Sequence, residues 1–258
     1  MDTTLASSQP HSNPLWTEAI SHRGAQRTHP RLRAANRLEE QISSAVEPSP
    51  WSLSASKRCL DFAVAGAAIV IAWPLLLITA LVVRLESPGP IIFRQKRVGR
   101  GGSLTTVYKF RTMATEAETG GPSMTKRGDP RITSFGRFLR KHKLDELPQL
   151  FNVLRGEMSL IGPRPRLPHH MEVTNLPFRP GLTGAATLAF RCEEEMLQDI
   201  PDHELEVYNA HTIIPLKGKL DSDYMGQATL TSDIALLCQT ATCCISGRAN
   251  TLMIDLSR

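Results

Sequence analysis

The run that decides the fold is Phe62–Val83, FAVAGAAIVIAWPLLLITALVV, 22 residues without a charge. At ~1.5 Å per residue, a straight helix of this length reaches across the ~30 Å hydrocarbon core of a bilayer. Pro74 falls near its middle, and a proline there removes one backbone hydrogen bond and bends the helix. Cations flank both ends: Lys57 and Arg58 before the run, Arg84, Arg94, Lys96 and Arg97 after it. Positive charge collects on the cytoplasmic side of a membrane segment, so a straight span satisfies only one flank. A bent helix that enters and leaves on the same face satisfies both. That re-entrant form, broken at Trp73-Pro74, is the expectation; a plain single span and a buried core helix are the alternatives.

Working outward, the chain has 258 residues, enough for one mid-sized domain with tails. A hydrophobic share of 41% with 21% charged residues argues against both a wholly disordered chain and a polytopic membrane protein. Thirty Lys and Arg against 25 Asp and Glu leave a net charge of +5, which suits an anionic partner such as phosphate, nucleic acid or acidic lipid. Aromatic residues are only 5% of the chain, which argues against a platform for nucleic-acid bases. The five cysteines are odd in number and lack zinc-site spacing, so a reducing compartment is expected. Residues 1–56 are rich in Pro and Ser and read as a disordered tail without signal-peptide character, in which 31–44 could form a short helix.

Beyond the apolar run lies a catalytic core, expected over 87–190, and a C-terminal helical extension over 191–258. From Arg84 to Lys143 there are 14 Lys and Arg against 4 Asp and Glu. Phe93-Arg94-Gln95 and Thr106–Phe110 read as strands of a small sheet around Gly99-Arg100-Gly101-Gly102. Ile132–Lys143 reads as an amphipathic helix, with Ile132, Phe135, Phe138 and Leu139 on one side and Arg137, Arg140 and Lys141 on the other, suited to a headgroup interface. In the extension, Glu193–Tyr208 and Ser232–Ser246 read as helices that pack on the domain. The fold class is therefore α/β, helix-rich: a compact monotopic membrane domain with interfacial amphipathic helices.

The candidate chemistry begins at Lys143–Gly156, KLDELPQLFNVLRG. Pro148 suits a first helical turn and Gly156 the residue after the last, which puts Asp145 and Glu146 at the N-terminal end. Two adjacent carboxylates amid so many cations can hold a divalent ion and offer one oxygen as a nucleophile toward a phosphoryl group; acidic helix caps are the plainer alternative. Further on, Gly162-Pro163-Arg164-Pro165 aims Arg164 from a stiff backbone, and Arg179-Pro180-Gly181-Leu182-Thr183-Gly184 is a second rigid turn with a basic entry. The chain lacks GxxxxGK[ST], HExxH and GxSxG, which removes common nucleotide-dependent and hydrolase classes.

Taken in order, these motifs resemble the bacterial sugar transferases, the monotopic phosphoglycosyl transferases. The landmarks include Lys57-Arg58 with Asp61, the Pro-interrupted helix, Ser87-Pro88-Gly89-Pro90, Tyr108–Met113, Asp129–Thr133, Leu144–Leu150, Gly156–Ser159, Gly162–Pro165 and Pro180–Gly184, in order over roughly residues 57–186. The resemblance implies an enzyme on the cytoplasmic face of the bacterial inner membrane. It would move a sugar phosphate from a nucleotide sugar, usually a UDP-sugar, to undecaprenyl phosphate, releasing UMP and initiating exopolysaccharide or related glycan assembly. By the same resemblance Asp145 is the nucleophile, Glu146 completes the catalytic dyad, and both are the expected ligands of a Mg²⁺ cofactor. Lys109, Arg111, Arg131, Arg164 and Arg179 are the expected substrate-binding cations. Membrane lipids are expected partners, and a homodimer is left open. The alternative is a catalytically idle scaffold for polysaccharide synthesis. The sequence departs from the family pattern at Lys143, where Ser or Thr is usual, at Thr187, at Ala189-Phe190-Arg191, and at Trp73, where Ser usually precedes the proline.

Overall fold

A computed structural model describes residues 47–114, 125–126, 128–168, 177–198 and 200–246; residues 1–46, including the short helix expected at 31–44, lie outside these. The apolar run forms the centre of helix α1, Ala55–Glu86, whose N-cap Ser54 accepts a hydrogen bond from the Lys57 backbone N–H. The helical pattern runs on through the expected break at Trp73-Pro74, with Pro74 inside the helix. A proline inside a helix forfeits one hydrogen bond and is accommodated by a local bend.

What α1 touches matters more than its length. Toward its start, Ala65 is fully buried against Leu150 and Val153, with Val64, Ala68 and Ile69 beside it. Toward its end, Val83 packs with Phe110 and Leu139, flanked by Leu76 and Ala80. Both halves thus lie on the same globular body. The other face carries Val70, Ile71, Trp73, Leu77, Ile78 and Leu81, all more than half exposed.

That body begins with a hairpin, β1 (Ile92–Val98) antiparallel to β2 (Leu104–Phe110), in register from Ile92 opposite Phe110 to Val98 opposite Leu104. Gly101 and Gly102 close it at φ 63° and 77°, a region costly for other residues. Helix α2 (Ser134–Lys141) is capped by the Thr133 hydroxyl. Its expected apolar stripe divides: Ile132 and Leu139 enter the core, whereas Phe138 faces outward and stacks on Phe135. Its basic side is not simply solvated, because Arg140 pairs with Glu194.

Helix α3 (Gln149–Arg155) ends at Gly156 with φ 84°, as the sequence implies. The acidic pair does not occupy its first turn; it forms a separate 3₁₀ turn, Leu144–Glu146. A second sheet went unanticipated: β3 (Ser159–Ile161) runs parallel to β4 (Gly181–Thr183). Three-residue strands are too short to show an alternating pattern. Here the glycines are required by close approach, since a Cβ on Gly181 would stand 2.2 Å from the Gly162 nitrogen.

The C-terminal part contains α4 (Ala185–Ala189), α5 (Glu193–Met196), α6 (Asp202–Tyr208), a π turn at Asn209–Ile213, α7 (Ile214–Gln227) and α8 (Leu230–Ser246). Leu236 of α8 joins the cluster that holds Ala65 and Val153. Phe190, Leu197, Leu205 and Ile213 make a smaller core of their own.

Candidate active site

The acidic turn is entered through Lys143, which at φ 56° is the one described non-glycine residue with positive φ. A left-handed lysine stores on the order of 1–3 kcal/mol of strain. It lets the chain leave α2 and reverse into the turn, where the Glu146 N–H donates to the Lys143 carbonyl at 3.3 Å. Both carboxylates come to rest inside the protein, with Asp145 7% and Glu146 6% exposed.

Their partners differ. Glu146 Oε1 accepts from Lys109 Nζ of β2 and from Arg164 Nη2, each at 2.7 Å. Asp145 Oδ1 is buried with no hydrogen-bond partner. Burial works to raise the Glu146 carboxyl, but Arg164 and Lys109 beside it hold it well below the usual range. Burial, and then the charge of Glu146, push the Asp145 carboxyl up, while Lys109, Lys143 and Arg140 pull against them. The arrangement therefore contains one neutralised carboxylate and one whose acceptor capacity is unspent. A buried acceptor left without a partner costs on the order of 1–3 kcal/mol, so it marks a place where something binds or reacts.

Several elements hold the cations in place. Buried Asn152 of α3 donates to the Thr106 carbonyl at 2.7 Å and accepts from the Tyr108 N–H at 3.2 Å, fixing β2 next to Lys109. Arg97 of β1 donates to the Pro165 carbonyl at 3.1 Å, holding the loop that carries Arg164. Burial, aided by the charge of Arg164, lowers Arg97 to about 10. Glu146 raises Arg164 and so keeps it firmly cationic. Desolvation lowers Lys109, against the pull of Glu146.

Of the five expected substrate-binding cations, the structure brings Lys109 and Arg164 to the dyad. Arg111 instead lies beneath the end of α1, where Nη2 donates to the Ser87 carbonyl at 2.6 Å and to the Val83 carbonyl at 3.3 Å; its Nε and Nη1 are buried without partners. Orphan carbonyls at a helix C-terminus attract a guanidinium, which accounts for its placement. Arg131 pairs with Asp129 two residues away, Nη2 to Oδ2 at 2.7 Å. Arg179 donates from Nε to the Gly156 carbonyl at 2.9 Å, at the end of α3 remote from the dyad, in a cleft shared with Lys57, Arg58 and Asp61. Sequence reading missed Asn152 as a support, although it falls within the quoted motifs. It also missed Lys217 of α7, paired with Glu193 at 2.5 Å, and Asp221, which no local pattern announces.

The residues present fit a Mg²⁺ ion in one way. Among the described residues no three His, Cys, Asp or Glu side chains converge into a cage, but Asp145 Oδ1 is an unspent hard donor. Mg²⁺ commonly takes one or two carboxylates and completes its shell with water and substrate phosphates.

Comparison with known proteins gives the family. Residues 52–247 match the sequence profile of the family described as bacterial sugar transferase. The chain is 42% identical over 165 residues to a UDP-N-acetylgalactosamine-undecaprenyl-phosphate N-acetylgalactosaminephosphotransferase of Aeromonas hydrophila, covering 60% of this chain and 38% of that protein. It is 45% identical over 139 residues to a UDP-glucose:undecaprenyl-phosphate glucose-1-phosphate transferase of Caulobacter vibrioides, covering 50% and 52%. An exopolysaccharide production protein of Rhizobium leguminosarum bv. phaseoli is 46% identical over 109 residues, covering 42% and 54%. The chain thus spans less than two thirds of the length of these relatives. The profile match takes in the apolar helix α1, the hairpin, the acidic pair and the C-terminal helices, and by it the chain belongs to the bacterial sugar transferase family.

Proposed function

We propose that this protein transfers a sugar phosphate from a UDP-sugar to undecaprenyl phosphate, releasing UMP, as the first step of an exopolysaccharide or related glycan. The observation that carries this reading is the buried, unpartnered Asp145 oxygen beside a cation-saturated Glu146. In the first half-reaction an Asp145 oxygen attacks the β-phosphorus of the donor. A P–O bond forms as the P–O bond to UMP breaks, and UMP leaves with the electron pair. In the second, an oxygen of the lipid phosphate attacks the same phosphorus, giving the polyprenyl-diphosphate sugar and returning the Asp145 carboxylate.

Phosphoryl transfer needs charge neutralisation and in-line positioning more than unusual side chains. Glu146 anchors Lys109 and Arg164 as a fixed pair of cations, and Arg164, partly exposed, is placed to meet the diphosphate. Asp145, with Glu146 as second ligand, would hold Mg²⁺, which when bound offsets phosphate charge.

The site belongs at the membrane surface in this reading. A helix crossing the bilayer would leave its two ends in different compartments, yet both halves of α1 pack on one body, with the exposed apolar face turned away. That supports a re-entrant placement on the cytoplasmic face, with the dyad at headgroup depth. Cysteine labelling at both ends of 62–83 should then succeed from the cytoplasmic side only; a periplasmic end would establish a true span.

The deciding experiment uses purified protein in nanodiscs with undecaprenyl phosphate, Mg²⁺ and single UDP-sugars. UMP release that requires both the lipid and one particular sugar supports the transfer and names the donor. Folded protein inert toward every nucleotide sugar would favour the idle scaffold.

A further inference from the structure

Asp221 of α7 lies outside the motif-bearing core, and it is only 5% exposed. Its two oxygens are both spent on backbone N–H groups: Oδ1 accepts from Ala186 at 3.0 Å and Oδ2 from Arg164 at 3.1 Å. Those two N–H groups belong to the segments that leave β4 and β3, so one carboxylate draws together the exits of both parallel strands. The fit is close. A Cβ on Gly184 would stand 2.5 Å from the Gly162 carbonyl oxygen and 3.2 Å from Asp221 Oδ1.

The same helix grips the far end of the arginine loop. Arg166 Nη2 donates to the Ile214 carbonyl at 3.3 Å, and its guanidinium lies against Gly218, where a Cβ would come within 2.5 Å of Nη2. Burial pushes the Asp221 carboxyl up to about 6, against its backbone N–H partners and the charges of Arg166 and Arg164. Apolar packing alone would not call for a carboxylate so far out of water. What it achieves is a fixed backbone at Arg164, whose side chain reaches Glu146 at 2.7 Å.

We propose that Asp221 is a positioning residue for the transfer reaction: by holding the Arg164 backbone N–H, it sets where the Arg164 guanidinium meets Glu146 and the donor diphosphate. The proposal rests on the transfer reading above. It makes α7 part of the site's construction rather than an accessory.

The test is Asp221→Asn in the full chain, in nanodiscs. It keeps the shape but replaces one accepting oxygen with an NH₂ group. Donor kcat/KM should fall about 10- to 100-fold, as for other small misplacements of a catalytic group, while KM for undecaprenyl phosphate stays unchanged. In an Arg164→Ala background the same change should cost less than about threefold more, because there is no guanidinium left to place. Wild-type behaviour of Asp221→Asn, or losses that multiply with Arg164→Ala, would overturn the proposal.

Amide exchange provides a readout independent of turnover. In Asp221→Ala, which removes both accepting oxygens, the Arg164 and Ala186 amides should exchange at least about tenfold faster, with those of Ser159 and Gly162 unchanged. If the wild type released no UMP from any donor, the transfer reading would fall, and unchanged protection at Arg164 would still refute the positioning role. Should Asp221→Asn not fold, Asp221→Ser takes its place with the same expectations, since its short hydroxyl cannot reach both N–H groups.

Discussion

Asp233 on α8 and Asp145 ahead of α3 are both buried aspartates, 1% and 7% exposed, yet their surroundings are built on opposite principles. Asp233 Oδ1 accepts from the Tyr224 hydroxyl at 2.7 Å, and Oδ2 accepts from Trp51 Nε1 at 2.9 Å and pairs with Lys57. Every valence is satisfied, and the result ties α8 to the start of α1. At Asp145 the cations converge on the neighbouring Glu146 and one aspartate oxygen is left over. A saturated buried charge is a joint; an unsaturated one is a place for chemistry.

Removing the two carboxylates should separate these roles. Asp145→Asn should lower turnover at least about 10³-fold, the scale expected when a covalent nucleophile is lost. Its melting temperature should not fall, because an unpartnered buried charge is removed. Residual turnover above about one per cent would place the nucleophile elsewhere and dissolve the contrast. Asp233→Ala should do the reverse, costing about 3–5 kcal/mol of stability because Lys57 is left buried without its counter-charge. Chemical unfolding would measure that loss, and UMP release per folded molecule should match wild type.

Smaller effects sharpen the picture. Arg164→Ala should reduce donor kcat/KM about 10- to 100-fold, the range for a charged hydrogen bond, while leaving membrane retention intact. Equal losses in both would make Arg164 a structural residue. The smallest effect is in pH. Because the Glu146 carboxyl is held well below the usual 4.5 of a free glutamate, its ionised form stabilises the fold above that pH. The melting-temperature difference between wild type and Glu146→Gln should be constant above pH 4.5 and diminish as pH falls below it. A difference that grew toward acid would reverse the assignment of the two carboxylates.

How much of this could be read in the sequence follows from how each feature is encoded. The hairpin, the ends of α3 and the acidic pair are local: alternation, a proline, a glycine and two adjacent carboxylates suffice. Lys109 and Arg164 were found through ordered motifs, though nothing local says that both meet Glu146. Arg111, Arg131 and Arg179 come from the same resemblance, and nothing local says that they also cap a helix, pair within a turn or clamp a carbonyl. Asp221 and Asp233 are single carboxylates on helices, and only the tertiary fold brings the first to a loop 57 residues away. At Trp73-Pro74 the sequence shows where one hydrogen bond is lost, but the course of the helix on either side depends on what it packs against.

The Arg111 contact has a mechanical consequence. Lys109 is the penultimate residue of β2, and Arg111 follows directly after the strand ends at Phe110. Lys109 grips the dyad through Glu146, and Arg111 grips the end of α1 through Ser87 and Val83. Between them is Phe110, which is buried in the core. No flexible linker intervenes, so α1 and the buried carboxylates are joined as one piece. On the proposed placement, the height of the Asp145 oxygen above the lipid tails would be set when the chain folds, and a tilt of the helix would be felt at once by the dyad.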